Sequence, residues 1–540
     1  PHDSARGHVT GRSLFIDDIP PAADELLVGF FWSPVAHGLI RSLDLNAARA
    51  VPGVAGLFTH EDLAANRFGA IIADEPLLAE SEVTFIGQPI VVIAAESQAA
   101  LDEARRRIAI DIEPLPLVLT IEAAIEAQQF IGAPREIRRG SPEEVLATSP
   151  HVVEGTFECG AQDQFYLESQ AAIVWPGEDG TLTVHSSTQN PSEGQEVIAH
   201  LLGLRHSDVV VVNKRMGGAF GGKECQATHP AAMAALVAHR LRRPARIVYD
   251  KDTDMVVTGH RHPFRNRYRV GFDGEGRITA AVFELYSDGG AYADLSPAIL
   301  ARAMCHIDNA YYLPHVAING RICRTNSAPN TAFRGFGGPQ GAATIECALE
   351  EIAAILGRDA FDVRRVNCYG VAPWNVTPYG QTVENELLPQ MFDQLLETSD
   401  YRARLETVKQ VNATSPTTLA GIAMTAVKFG ISFNTTFLNQ ANALVNVYLD
   451  GSVQVSTGAT EMGQGVNTKI AMVVAEELGV DLAAVRVMIT STEKNNNTSA
   501  TAASSASDLN GSAAMIAARK IRERMIPVAA GLLESRAPES

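Results

Sequence analysis

Along the first 120 or so residues, apolar runs are short and broken by turn formers. Val83-Thr84-Phe85-Ile86 and Ile90-Val91-Val92-Ile93-Ala94 read as β-strands separated by Gly87-Gln88-Pro89. From Ser97 the period becomes helical: Ala100, Ala104 and Ile108 recur four apart, and Ser97 can cap the first turn. Pro114 and Pro116 close that unit. The polar stretch from Ala133 to Ser149, with Gly140-Ser141-Pro142, reads as a linker or a surface meander.

Further on, the pattern repeats itself weakly. Asp179-Gly180-Thr181-Leu182-Thr183-Val184 opens a unit whose helix ends at Leu202-Gly203. The apolar run Val209 to Val212, a glycine-rich loop and a helical run Ala231 to His239 follow. Asp450-Gly451-Ser452-Val453-Gln454-Val455 opens a second unit. Its helix ends at Leu478-Gly479, and it continues with a β-run Val485 to Ile489, a Ser/Ala-rich loop and a helical run from Ala513. Each unit has a glutamine after its hairpin, Gln189 and Gln464. Two related units with small-residue loops imply two related domains that can share a cleft.

Composition narrows the class. A chain of 540 residues holds three or four domains at about 150 residues each. Apolar residues at 46% and charged residues at 20% exclude disorder, collagen and coiled coil. Lys+Arg 44 against Asp+Glu 62 gives a net charge of −18, which argues against nucleic acid as a partner. No apolar run approaches the roughly 20 residues of a membrane helix, and Pro1-His2-Asp3-Ser4-Ala5-Arg6, with no apolar core behind its charges, is not expected to be a signal peptide. A soluble, cytoplasmic protein is expected. The cysteines Cys159, Cys225, Cys305, Cys323, Cys347 and Cys368 have neither zinc-finger nor ferredoxin spacing, so no iron–sulfur cluster is expected on this chain.

Several motifs carry candidate chemistry. In Gly217-Gly218-Ala219-Phe220-Gly221-Gly222-Lys223-Glu224, four glycines around a Phe let main chain approach a ligand and offer N–H groups to oxyanions. The stretch nearly satisfies a P-loop, but Glu224 stands where a hydroxyl should hold magnesium, and a plain flexible turn is the bland alternative. Thr331-Ala332-Phe333-Arg334-Gly335-Phe336-Gly337-Gly338-Pro339-Gln340 places an Arg fork between aromatic rings on a glycine-rich loop, or else is a turn with a packed Arg. Lys428–Phe433 and Thr460–Gly465 are weaker by themselves, each reading equally as a site loop or as ordinary strand and turn. Asn497–Ser507 is a floppy linker or a close-approach loop lined by hydroxyls. His260-Arg261-His262 could chelate a metal but more commonly lies at a surface, and Arg240-Leu241-Arg242-Arg243 ends a helix, where its dipole favours cations.

Taken together, the chain resembles the molybdenum-binding subunit of the xanthine dehydrogenase/oxidase family, in its prokaryotic form, over essentially its whole length. The resemblance rests on Phe165-Tyr166-Leu167-Glu168, Ser187-Thr188-Gln189-Asn190, Gly217–Glu224, Asp294-Leu295-Ser296 with Arg302, Ala332–Gln340, Lys428–Phe433, Gly463–Gly465 and Thr501–Ser504. It implies an α+β fold: an α/β hammerhead-like domain over residues 1–120, a first molybdopterin-binding domain over 121–400, and the N-terminal part of a second, incomplete one over 401–540.

The resemblance also implies roles. Gln189, Gly218, Ala219, Phe220, Gly221, Arg334, Met462, Gln464, Thr501, Ala503 and Ser504 would hold a molybdopterin–molybdenum cofactor. Gln189, Phe220, Arg334 and Ala503 would surround the metal without ligating it. Phe336 and Phe433 would clamp a flat substrate between ring face and ring edge, with Asn434, Ala502 and Ala503 nearby. Glu224 and Arg302 would bind its polar edge and act catalytically. Aldehyde-oxidising relatives typically carry apolar residues at those two positions, so an acid and a cation favour a purine. The reaction implied is hydroxylation of hypoxanthine or xanthine toward urate. Electrons would pass through 2Fe–2S and FAD on a partner subunit to NAD, within a higher oligomer. The alternative is a related molybdenum hydroxylase acting on another N-heterocycle or an aldehyde; a P-loop nucleotidase and a non-catalytic scaffold are the readings from other classes.

Three departures from the family pattern stand out. The family's general base is a glutamate in a Gly-Glu-Pro motif, and no such motif occurs in this sequence. A remaining C-terminal segment of the second domain is therefore expected from elsewhere, and little turnover is expected of this chain alone. Asn434 replaces a common threonine and Ala219 a glycine, either of which alters the width of the cleft.

Overall fold

The computed structural model describes residues 2–384, 387–434 and 436–533; Pro1 and the last residues of the range 401–540 named above lie outside them. An eight-stranded mixed sheet forms the largest core. Its strand order is Thr490–Ser491, Val209–Asn213, Leu182–Ser186, Ala171–Pro176, Ala245–Val248, Leu26–Trp32, Pro89–Ala95 and Val54–Phe58. Leu26–Trp32 joins the N-terminal region to the rest by pairing parallel with Ala245–Val248 and antiparallel with Pro89–Ala95. The helix Thr228–Leu241 packs on this sheet. Apolar and buried around its whole circumference from Pro230 to Ala238, it is a core helix. Full burial of Met233, Leu236 and Val237 contributes on the order of 1.5–3 kcal/mol each. A second, five-stranded sheet runs His151–Cys159, Phe264–Phe272, Ile278–Asp288, Val316–Cys323 and Phe130–Arg139, and a separate core gathers between it and the helices Ser296–His306 and Gly338–Leu356. No helix among the described residues is long and apolar enough to cross a membrane.

The internal repeat is physical. Ala171–Pro176 and Leu182–Ser186 form a hairpin, the helix Pro191–Leu202 follows, and Val209–Asn213 returns parallel to the hairpin's second strand. Ala443–Val447, Val453–Thr457, Val466–Leu478 and Val485–Val487 do the same. Both helices stop at a left-handed glycine, Gly203 at φ 67° and Gly479 at φ 67°, where a side chain would be strained. The units are joined: Val212 pairs with Ser491 and Asn213 with Thr490 across the edge of the large sheet.

Three local expectations need correction. The strand at Val83 is only Glu82–Val83, because the Gln88 side-chain oxygen takes the Thr84 N–H at 2.7 Å and turns Phe85 into a pocket with Ala291 and Tyr292. Residues 133–149 are not a linker. They lie largely in the strand Phe130–Arg139 and the helix Pro142–Thr148. The strand is an outer one with most of its side chains in solvent, which is why its composition reads as polar. The last helix begins at Ala506 rather than Ala513, with Asp508 in its first turn, where the helix dipole favours an acid. The strand Pro89–Ala95 and the helix Gln98–Arg107, with Ser97 Oγ accepting from Ala100 N at 3.2 Å, match the sequence pattern.

Candidate functional site

Loops from both repeat units and from the second core line one cavity of about 940 Å³. It is bounded by the Gly217–Glu224 and Ala332–Phe336 loops, the Met462–Gln464 turn, the Thr501–Ser504 loop, Phe429 and Arg302. A cavity of similar size lies between Tyr369–Thr398 and Thr425–Gly430; it shares only Phe429 with the first and contains none of its convergent main chain.

Gln189 fastens the loops together. Its Oε1 accepts from Gly221 N at 2.9 Å and its Nε2 donates to Thr501 O at 3.0 Å. Its main-chain N–H donates to Lys223 O and its carbonyl accepts from Thr501 N, both at 2.9 Å. Thr501 Oγ1 accepts from Thr460 N at 2.8 Å, which brings in the Met462 turn. Gly221, at φ 105°, lies so close to the neighbouring loop that a Cβ would stand 2.7 Å from Ala332 O, while Arg334 N donates to Phe220 O at 2.9 Å. Phe220, Phe336, Ala503 and Ser504 all take left-handed φ, between 50° and 55°. Strained backbone clustered at one cavity is a mark of function. The N–H groups of Phe220, Ala503 and Ser504 make no backbone hydrogen bond among the described residues. With Arg334 and Lys469 also on the wall, this is a cradle for an anionic group.

The opposite end is aromatic and charged. Phe336 and Phe433 meet edge to face, with centroids 6.3 Å apart at 89°. Arg302, 2% exposed, donates to the carbonyls of Gly430 and Ser432 and lies 5.2 Å from the Phe429 ring centroid. His306 braces that segment: its Nδ1 donates to Arg302 O at 2.8 Å, so its Nε2 accepts from Gly430 N at 3.0 Å, and burial pushes its pKa down to about 4. Glu224 lines the cavity beside Arg302; burial, then the charges of Glu193 and Asp294, push its carboxyl up to about 8.

The expected site residues divide. Gln189, Gly218, Phe220, Gly221, Glu224, Arg302, Arg334, Phe336, Met462, Gln464, Thr501, Ala502, Ala503 and Ser504 all line the cavity. Ala219 is buried beneath its loop, and Phe433 stands behind Phe336 as its edge partner. Asn434 does not line the cavity; it is exposed, with Nδ2 3.9 Å from Cys305 Sγ. Gln464 folds onto its own turn, accepting from Met462 N at 2.7 Å and donating to Thr460 O at 3.0 Å.

The P-loop reading fails because Lys223 is fully buried under the loop, donating to Ser187 Oγ at 2.8 Å. His260 and His262 do not converge on a metal: one faces Asp163 at 3.5 Å, the other bonds Ser296 Oγ at 2.7 Å. His2, Asp3 and Glu461 do converge, but Glu461 already accepts from the N–H groups of Gly463, Gly465 and Asn467, so the contact pins the N-terminal segment to the turn. Sequence reading missed Phe429, Lys469 and Glu193. Glu193 carried a signal, its place three residues after the N-cap Asn190, but that spacing speaks of a helix start.

Comparison with known proteins bears on the same residues. Residues 125–368 and 394–539 each match the molybdopterin cofactor-binding domain, and residues 10–116 match the aldehyde oxidase and xanthine dehydrogenase a/b hammerhead domain. The xanthine dehydrogenase of Emericella nidulans is 42% identical over 531 residues, 98% of this chain and 39% of that protein. That of Dictyostelium discoideum is 42% identical over 528 residues, with the same coverage. The chain thus spans about 39% of the length of the curated relatives it matches. Among solved structures, quinoline 2-oxidoreductase from Pseudomonas putida 86 superposes with a TM-score of 0.86 at 26% identity, covering 100% of this chain and 72% of that one.

Proposed function

Because the chain belongs to the xanthine dehydrogenase and aldehyde oxidase family, with a hammerhead domain followed by two molybdopterin-binding domains, we propose that it is the molybdenum-binding part of a xanthine dehydrogenase, hydroxylating hypoxanthine and xanthine toward urate. The cavity fits the cofactor: unbonded N–H groups at Phe220, Ala503 and Ser504, the cation Arg334 and the small side chains Ala502 and Ala503 suit a flat, anionic pterin. Arg334, Met462, Gln464, Thr501, Ala503 and Ser504 would hold it, with Gln189 and Phe220 toward the metal. When bound, the molybdenum centre supplies oxygen transfer to an electron-poor ring carbon with removal of two electrons.

This chain's own residues bind and orient the substrate. The observation that carries the purine assignment is the buried acid–cation pair, Glu224 and Arg302, on the wall beside Phe336. Phe336 offers a ring face and holds the heterocycle flat. Arg302 meets negative charge that grows on the substrate during attack, in a dry site where such a charge counts most. An aldehyde has no polar edge to satisfy the pair. A 2Fe–2S centre and FAD on a partner subunit would carry the two electrons on to NAD.

The test is metal and pterin analysis of the complete purified enzyme alongside its activity on xanthine, quinoline and an aromatic aldehyde. Molybdenum, a pterin and preference for xanthine are expected. Active enzyme without molybdenum removes the assignment; turnover of quinoline or aldehyde but no purine removes the substrate.

A further inference from the structure

Two glutamates stand at the feet of two loops that line the cavity, and the N-terminal segment touches both. Glu461, 2% exposed, is the acceptor around which the Met462–Gln464 turn folds. Its Oε1 accepts from Gly463 N and Gly465 N, each at 2.9 Å. Its Oε2 accepts from Asn467 N at 3.3 Å in the first turn of the Val466–Leu478 helix, where the dipole favours an anion. Gly463 at φ 104° and Gly465 at φ 75° supply the left-handed backbone that this turn requires. Glu168 does the same for the glycine-rich loop. Its Oε2 accepts from Gly217 N at 2.7 Å, Ser187 Oγ at 2.8 Å and Lys223 Nζ at 3.4 Å. A Cβ on Gly217 would stand 2.6 Å from Glu168 Cβ, so this approach needs a glycine.

The two feet are joined. Met216 N, one residue before Gly217, donates to Glu461 O at 2.8 Å. Residues 2–16 lie across that joint. At one end His2 stands between two acids, with Nδ1 3.1 Å from Asp3 Oδ1 and Nε2 3.1 Å from Glu461 Oε1. Asp3 N donates to Thr468 Oγ1 at 3.0 Å, and Asp3 Oδ2 accepts from Asn467 Nδ2 at 3.3 Å. In the middle, Arg215 donates to Ser4 Oγ at 3.3 Å and to Leu14 O at 3.0 Å. At the other end Ile16 N donates to Glu168 Oε1 at 3.3 Å, so Glu168 gives one oxygen to the loop and the other to the segment. Neither glutamate lines the cavity, whereas Gly217, Met462, Gly463 and Gln464 do. The carboxylates act on the cavity only through the main chain that they hold.

We propose that residues 2–16 are a clasp that couples the glycine-rich loop of the first repeat unit to the Met462–Gln464 turn of the second, and that Glu168 and Glu461 are positioning residues through which the clasp sets the grip on the cofactor. The effect on the cofactor rests on the reading of the cavity as a molybdopterin site; the coupling of the two loops does not. The double substitution His2→Ala with Asp3→Ala releases one end of the clasp. His2 is half-buried and Asp3 exposed, so the fold does not depend on them.

The experiment is amide hydrogen exchange of the complete enzyme, with molybdenum and pterin followed during dialysis. In the double variant, exchange at Gly463, Gly465 and Asn467 should quicken by roughly ten- to a hundredfold, as loss of one hydrogen bond to a charged group predicts. Exchange at Met216 and Gly217 should quicken with it, while Thr501, held by Gln189, keeps its rate. Molybdenum and pterin should leave the variant several times faster than the wild type, with the melting temperature little moved. The conservative pair His2→Gln with Asp3→Asn returns a donor and an acceptor of similar reach and should restore both rates. Faster exchange at Gly463, Gly465 and Asn467 alone overturns the coupling, and unchanged exchange throughout overturns the clasp. Cofactor that leaves no faster from a variant with both loops loosened overturns the positioning role. A wild type that holds no molybdenum removes the functional reading, while the exchange rates still decide whether the clasp couples the loops.

Discussion

Gln189 and Thr501, 312 residues apart in sequence, hold each other at two points: the Gln189 amide donates to the Thr501 carbonyl at 3.0 Å, and the Thr501 N–H donates to the Gln189 carbonyl at 2.9 Å. One belongs to the first repeat unit and the other to the second. The cavity is therefore closed by a contact between domains, and its shape depends on how the two units dock.

Gln189→Ala should loosen that closure. It strips the Gly221 N–H and the Thr501 carbonyl of a buried partner, a cost of about 1–3 kcal/mol. The melting temperature should fall by several degrees, and molybdenum content of the complete enzyme should fall with it. Calorimetry and metal analysis of the same preparation check both; full molybdenum content with unchanged melting would show that other contacts define the cavity.

Gly221→Ala tests the approach of the two loops. At φ 105° a side chain is strained by on the order of 1–3 kcal/mol. The new Cβ would also stand 2.7 Å from Ala332 O, a backbone atom with little room to move. Loss of bound cofactor at modest loss of folding stability is the expected outcome. A variant that melts and binds molybdenum like the wild type would contradict the close packing.

Arg302→Met addresses specificity. The guanidinium is placed to meet charge that develops on the substrate, so its loss should lower kcat on xanthine by roughly 100- to 1,000-fold. Turnover of an aromatic aldehyde should fall far less, and molybdenum content should stay near wild type. Steady-state kinetics on both substrates with metal analysis decides; an equal fall on both at unchanged molybdenum content would mean that Arg302 does not read the purine edge.

The repeat was legible because its markers are local: Leu202-Gly203 and Leu478-Gly479 end helices at a left-handed residue wherever they occur. The cavity-lining loops were legible for a similar reason, since dense glycine and alanine serve close approach. Asn434 was misplaced because neighbours in sequence alternate direction; Phe433 points inward and Asn434 outward. The strand Phe130–Arg139 was hidden by its exposed charges, and Glu193 by its role as a cap. What local pattern could not supply was the neighbour set: nothing in the sequence around Glu224 indicates that the charges of Glu193 and Asp294 act on its buried carboxyl.

That neighbour set has a consequence for stability. Burial raises the carboxyls of Glu224, Glu193 and Asp294 above their ordinary values of 4.5, 4.5 and 3.8. A group whose folded pKa is raised binds its proton more tightly in the native state. The native state is therefore favoured at low pH, and the advantage is lost as pH rises from the unfolded value through the folded one. The window for Glu224 runs from about 4.5 to about 8. Within it the wild type should lose stability with rising pH, at up to about 1.4 kcal/mol per pH unit for one fully shifted group. Glu224→Gln cannot ionise, so its stability should decline less steeply over the same range, and the two curves should draw together toward pH 5 relative to their separation at pH 8. Denaturant titrations of both proteins at pH 5, 6, 7 and 8 measure the difference directly, with all other titrating groups common to both. Parallel curves across that range would mean that Glu224 is ionised in the folded protein, and that the acid patch beside the cavity does not hold a proton there.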